Sequence, residues 1–153
     1  MTNNLVFTTY IRYDNPEEFE RMICEVNPLF KKSFNNIYEP DTCPCPYLTV
    51  GKLDDTIVCA CIFENFADEY DEELNDCKVS SLCCHPTNKG YGTKMMHYIH
   101  DYIKNNLTAN RIVVHIDKDK INRLSLFYKK FGYEVDVDAV DEDDYDIPMY
   151  KII

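Results

Sequence analysis

One run of residues constrains this chain more than any other. An apolar, cysteine-rich stretch containing Val79, Leu82, Cys83 and Cys84 turns at His85-Pro86. It then passes through Lys89-Gly90-Tyr91-Gly92-Thr93 and continues as Lys94-Met95-Met96-His97-Tyr98-Ile99. The hydrophobic pattern changes from strand-like to helical across the glycines, which predicts a strand, a tight turn and a helix in direct succession. Two of only four glycines in the chain fall in this turn. There they permit a sharp bend and a backbone that a ligand can approach without meeting a Cβ. The first amides of the helix have no internal partner, and with the positive end of the helix dipole they favour a phosphate or pyrophosphate. A plain strand-to-helix turn asks for the same residues, so the motif alone leaves both readings open.

The segments around this run alternate in the same manner. A first strand is predicted from about Val6 to Tyr13. Asn15-Pro16-Glu17-Glu18 then supplies a cap, a proline at the first helical position and acid in the first turn. Phe19, Met22, Ile23 and Val26 repeat at helical spacing. Pro28 is expected to end that helix, with a second helical stretch from about Leu29 to Ile37. Prolines 40, 44 and 46 mark a loop. Tyr47 to Leu53 and Thr56 to Phe66, joined at Asp54-Asp55, read as a hairpin whose second arm is apolar enough to be buried on both faces. The strand before the glycine turn spans about Cys77 to Cys84, and the helix after it ends near Asn105-Asn106. Arg111 to Asp117 is a strand, parallel to the previous one across a helical crossover. A last helix is expected from about Asn122 to Phe131. Closing strands follow at about Tyr133 to Val137 and Ile147 to Ile152.

No linker, repeat or low-complexity segment divides the 153 residues, which predicts a single domain over 1–153. The first residues, Met1-Thr2-Asn3-Asn4-Leu5, carry no basic segment followed by an apolar run, and no stretch approaches the roughly 20 apolar residues of a membrane span. The expectation is a cytoplasmic protein. In a reducing compartment the eight cysteines are expected as free thiols. Cys43-Pro44-Cys45-Pro46 and Cys83-Cys84 lack the spacing of zinc modules, so no metal is expected. Net charge is -11, with acid concentrated in residues 68–73 and 141–146. Such a chain should repel nucleic acid and anionic membranes. The acidic segments read either as solvated loops or as attractors of a cationic substrate.

The last predicted helix carries a second informative cluster, Asn122-Arg123-Leu124-Ser125-Leu126-Phe127-Tyr128-Lys129-Lys130-Phe131-Gly132-Tyr133. Leu124, Phe127, Tyr128 and Phe131 share one face, so Tyr128 points inward, and Gly132 ends the helix as a left-handed cap. On pattern alone Tyr128 reads as a core tyrosine or as a catalytic one.

Strand, glycine turn, helix, parallel strand, and a short helix bearing Phe-Tyr-x-x-x-Gly-Tyr together resemble the GNAT family of acetyl-coenzyme A dependent N-acetyltransferases. The resemblance covers the C-terminal half closely and the first half in its order of elements. It implies an α/β fold with a mixed, mostly antiparallel central sheet, helices on both faces and one parallel β-α-β crossover. The family's loop pattern falls on Thr87-Asn88-Lys89-Gly90-Tyr91-Gly92, with Thr87 in place of the usual Gln or Arg. By resemblance, Thr87, Asn88, Lys89, Gly90, Tyr91, Gly92 and Thr93 hold the pyrophosphate of acetyl-coenzyme A. Leu82, Cys83 and Cys84 offer backbone groups to the pantetheine amides. Asn122 and Ser125 reach the pantetheine arm, unless they cap or solvate their own helix. Asn122 lies one residue nearer the tyrosine than the family's asparagine.

The implied activity is transfer of an acetyl group to a primary amine, either a small molecule such as a polyamine or a lysine-bearing peptide. A lysine-like amine with pKa about 10.4 is unprotonated in roughly one molecule in a few thousand at neutral pH, a deficit of about 4 to 5 kcal/mol. A base or a water chain is therefore needed, and the departing thiolate needs a proton. The resemblance assigns the second task to Tyr128. For the base, counting back from Gly90 reaches Asp76, and a shortened loop would bring Glu72 or Glu73 there instead. Family members often dimerise, and this chain, which shows no interface signature, is expected as a monomer or homodimer. A module that binds coenzyme A without transferring acetyl is the alternative that the same residues allow.

Overall fold

Hydrophobic residues alternate in the strands and repeat every three to four positions in the helices, and the observed elements follow that division. The structure is a computed structural model, and it describes residues 4–66 and 75–153. The acidic run 68–73, with Glu72 and Glu73, lies outside the described residues. Among the described residues seven strands form one sheet in the order β1-β2-β3-β4-β5-β7-β6. Two compact units are distinguished. The first contains the described residues up to 64 together with 80–102, and the second contains 65–66, 75–79 and 103–153.

In the first unit β1 (Leu5–Ile11) runs antiparallel to β2 (Tyr47–Leu53), from the pair Leu5/Leu53 to Ile11/Tyr47. β2 forms a hairpin with β3 (Thr56–Asn65). Asp54 and Asp55 have φ of 49° and 67°, the left-handed pair that a two-residue turn of matching twist requires. Val58 to Phe63 are all buried, as expected of an arm covered on both faces. Gly51 is required by contact rather than by conformation. A Cβ there would run into Cys59 Sγ and come within 2.9 Å of the Phe7 ring.

Helix α1 (Pro16–Phe34) begins where the sequence indicates, with the Asn15 side chain accepting from the Glu18 amide at 3.2 Å. It does not stop at Pro28. One helix of 19 residues runs through that proline and ends at Asn35, whose φ of 54° lets its N–H donate to the Lys31 carbonyl at 2.8 Å. An interior proline costs about 3 kcal/mol, and burying one large apolar side chain recovers about 1.5 to 3 kcal/mol. Pro28 is exposed while Phe30 is buried and Leu29 packs on the same core, so burial together with the left-handed cap offsets the cost. Phe19, Met22, Ile23, Val26 and Phe30 pack with Leu48, Val50, Ala60, Ile62, Cys43, Cys45 and Cys83.

β4 (Asp76–Cys84) begins in the second unit, where Asp76 to Val79 pair in parallel with β5 (Arg111–Asp117) from Asp76/Arg111 to Val79/Val114, and its remaining residues belong to the first. β4 continues beyond that ladder to Cys84, and α2 (Tyr91–Asn106) follows the glycine turn. A 3-10 turn over Lys118–Lys120 leads into α3 (Ile121–Lys129). The closing strands are β6 (Glu134–Val135), shorter than expected, and β7 (Asp146–Ile152), which lies antiparallel to both β5 and β6. The first strand is also shorter than expected, because the chain leaves it in a turn at Arg12 to Asp14. The sheet is thus mixed and mostly antiparallel, with β4 and β5 as its parallel pair.

Candidate functional site

The glycine turn presents an exposed backbone ahead of α2. Asn88 and Gly90 take positive φ, 62° and 80°, and a Cβ built on Gly90 would meet nothing within 4 Å. Residues 85–90 are exposed. The Lys94 amide donates to the Gly90 carbonyl at 3.1 Å, which makes Gly90 the residue at the cap of α2. The amides of Tyr91, Gly92 and Thr93 therefore precede the first residue with an intrahelical partner. Lys89 and Lys94 are exposed beside them. Thr87 is exposed as well, so the family's long side chain is replaced by a short one while the run of backbone amides is retained.

Leading into the turn, Leu82 and Cys84 are half-buried and Cys83 is buried in the core beneath α1. Cys83 can therefore serve a ligand only through its backbone. Burial pushes its thiol up to about 12, against a hydrogen bond with Ser33 that acts the other way. The Cys84 thiol is also raised by burial, and the Gly92 amide at the start of α2 opposes that shift. His85 leaves β4 with its N–H on the Val58 carbonyl at 2.8 Å and its Nε2 2.9 Å from Lys32 Nζ.

The segment between α1 and β2 reaches β4 as well, a contact that no local pattern reveals. Tyr38 is fastened to α1 by both of its backbone groups, with Asn27 Nδ2 donating to its carbonyl at 2.8 Å and its N–H donating to Asn27 Oδ1 at 2.9 Å. Its hydroxyl lies 2.6 Å from Ser81 Oγ. Seven residues on, the Cys45 thiol donates to Ser80 Oγ at 3.3 Å. No spacing links residues 43 positions apart, so only the fold reveals the pair.

In the second unit the turn after α3 closes on the carbonyl of Tyr128. That oxygen accepts from Phe131 N at 3.0 Å and Tyr133 N at 3.3 Å, while Gly132 N donates to Lys129 O at 3.0 Å. Gly132 has φ of 91°, as the expected left-handed cap demands. Tyr128 is 8% exposed, and its ring meets Phe127 and Tyr133 edge-on at 5.1 and 5.4 Å. Ser125 is half-buried and Asn122 is exposed. The expected start at Asn122 moves to Ile121, and no side chain caps α3.

Asp76 sits at the first residue of β4, facing Arg111 across the parallel pair. Arg111 Nε and Nη2 donate to its two carboxylate oxygens, and Nη1 reaches Asp136 at 3.3 Å. The same guanidinium lies 5.2 Å from the Tyr150 ring centroid. A carboxylate whose two oxygens are so engaged is better placed to tie strands together than to accept a proton from a substrate. All eight cysteines are free thiols. Among the described residues no group of three His, Cys, Asp or Glu side chains gathers as a metal site, and no helix is long and apolar enough to cross a membrane.

No protein-family model matches the sequence, and no curated relative matches it. Solved structures match it over nearly its whole length. YncA from Salmonella typhimurium, solved with acetyl-CoA, is 12% identical with TM-score 0.68, covering 97% of this chain and 94% of its own. The PaiA N-acetyltransferase from Thermoplasma acidophilum, in complex with coenzyme A, is 14% identical with TM-score 0.63, covering 98% and 99%. Naa50 from Arabidopsis thaliana, bound to the bisubstrate analogue CoA-Ac-MVNAL, is 15% identical with TM-score 0.63, covering 97% and 99%. The fold of this chain is that of the GNAT acetyltransferases.

Proposed function

We propose that this protein is an acetyl-coenzyme A dependent N-acetyltransferase acting on a primary amine. The observation that carries the reading is the turn from Asn88 to Thr93. Left-handed residues at 88 and 90, open space above Gly90 and three amides ahead of the first intrahelical donor suit a pyrophosphate. Lys89 and Lys94 add charge. Several proteins of this fold were solved with coenzyme A or acetyl-CoA, which supports the same cosubstrate here.

Acetyl-coenzyme A supplies the activated acyl group, and this chain's residues bind it and manage protons. The amides of Lys89 to Thr93 hold the pyrophosphate, aided by Thr87 and Asn88. The backbone of Leu82, Cys83 and Cys84 receives the pantetheine amides as it would an added strand, with Asn122 and Ser125 at the arm. Tyr128 keeps a proton on its hydroxyl for the sulfur as it leaves. Direct attack by the amine needs no covalent enzyme intermediate. With Asp76 engaged by Arg111, deprotonation falls to water or to a carboxylate elsewhere, Glu72 and Glu73 included.

The acceptor we favour is cationic, a polyamine or a lysine-bearing peptide, because the net charge is -11 and residues 141–146 are exposed. Naa50 was solved with the bisubstrate analogue CoA-Ac-MVNAL, which supports a peptide among the candidate acceptors. We further propose a cytoplasmic protein, monomeric or homodimeric. One observation favours the second reading, a coenzyme A binding module without transfer, and that is the engagement of Asp76. The deciding experiment is release of free coenzyme A thiol from acetyl-coenzyme A in the presence of polyamines, peptides, amino acids and aminoglycosides. Binding with no release across the panel would select the second reading.

A further inference from the structure

The pair formed by Tyr38 and Ser81 stands where the coenzyme's reactive end must fall if the pyrophosphate sits at the glycine turn. The pantetheine arm has about thirteen bonds between phosphorus and sulfur, the length of four to five extended residues. Laid back along β4 from His85, at about 3.3 Å per residue, its sulfur comes level with Ser80 and Ser81. These are the two positions of β4 whose hydroxyls are engaged by the segment between α1 and β2.

We propose that Ser81 is a further catalytic residue, its hydroxyl donating to the thioester carbonyl oxygen, and that Tyr38 is its positioning residue. The inference rests on the coenzyme reading above. A phenol is a stronger acid than an alkyl alcohol, so within the 2.6 Å contact Tyr38 Oη–H donates to Ser81 Oγ, leaving the serine proton for another acceptor. Burial raises the Tyr38 pKa, which keeps the phenol protonated. Its position is fixed by the two Asn27 bonds and by edge-on packing against Phe30 at 5.2 Å. A donor fixed before the ligand arrives has no reorganisation left to do when negative charge grows on the carbonyl oxygen.

The test compares the affinities of acetyl-coenzyme A and of coenzyme A itself, by calorimetry, in wild type, Tyr38→Phe, Ser81→Ala, Ser81→Thr and the double variant. Only acetyl-coenzyme A has the carbonyl. Loss of the Ser81 bond should weaken acetyl-coenzyme A about tenfold and leave coenzyme A within about twofold. Tyr38→Phe should do the same, the double variant should lose no more than Ser81→Ala, and Ser81→Thr should restore the preference. A purely structural pair would weaken both ligands equally, and that result, or an unchanged ratio in Ser81→Ala, overturns the inference. Ser81→Ala is a small change on a half-buried strand residue, so it decides the matter even if Tyr38→Phe is poorly folded. Failure of wild type to bind either ligand would instead sink the coenzyme reading itself.

Discussion

Arg111 grips Asp76 with two parallel hydrogen bonds, Nε to Oδ1 and Nη2 to Oδ2, each 2.8 Å, at the point where β4 and β5 begin to run side by side. Their side chains are 28% and 17% exposed, so the pair is screened less than a surface ion pair. Arg111→Ala strands two carboxylates, Asp76 and Asp136, and should cost about 2 kcal/mol. For a chain of this size that is a fall of about 4 to 8 °C in Tm, measurable by thermal melting. Asp76→Asn should lower Tm similarly while keeping measurable acetyl transfer. Complete loss of transfer in a folded Asp76→Asn protein would return Asp76 to the role of base.

Tyr128→Phe keeps the ring packed against Phe127 and Tyr133 and removes only the hydroxyl. Coenzyme A affinity and Tm should change little, while the transfer rate falls by about 10²-fold or more, the range of a lost general acid. Steady-state kinetics beside calorimetry checks both parts. Undiminished turnover would remove Tyr128 from the mechanism.

Gly51 and Gly90, both in the first unit, should respond oppositely. Gly51→Ala drives a methyl into Cys59 Sγ and Phe7, an overpacking error of about 1 to 3 kcal/mol, with coenzyme affinity retained in the folded fraction. Gly90→Val meets no neighbour, but it strains a φ of 80° and puts bulk where a phosphate would sit. Its signature should be a loss of coenzyme A binding larger than its loss of Tm. Comparable binding losses in the two variants would contradict the assignment of the turn.

Alkali should destabilise the fold through its buried thiols. Burial pushes Cys59 and Cys83 up to about 12 from an ordinary 9.0. Below pH 9 folded and unfolded chains both hold these protons, so stability is unaffected by them. Between pH 9 and 12 the unfolded thiols ionise and the folded ones do not. Stability is then lost at about 1.4 kcal/mol per thiol per pH unit. Urea denaturation at pH 8 and pH 10.5 should show the loss, and Cys59→Ala should reduce it. An equal loss in that variant would place the alkaline sensitivity elsewhere.

If the acceptor is cationic, its KM should rise with added salt, and neutralising the acids of residues 141–146 should raise it further without changing the KM for acetyl-coenzyme A. A salt-independent acceptor KM would reject the electrostatic choice of substrate.

Much of this architecture could be read along the chain. The Asn15 cap, the Asp54-Asp55 turn, β5 to the residue, and Gly132 are all set by local chemistry, and local chemistry is what sequence displays. Pro28 misled because a local penalty was outweighed by distant packing of Phe30, a contest that one-dimensional patterning does not register. The glycine turn was legible for the same reason that Asn15 was. Arg111 with Asp76, and Tyr38 with Ser81, were hidden because each pair depends on register or on a loop's path across a strand.

The placement of the eight thiols has a practical side. Cys24 is exposed and Cys84 is half-buried, while the other six are buried. A thiol-detecting dye added to the native protein should therefore meet a low, nearly constant background, most of it from one residue. Removing Cys24, on the outer face of α1, would leave a chain whose own sulfur is largely silent. Liberated coenzyme could then be followed continuously by colour, with the catalyst present at high concentration.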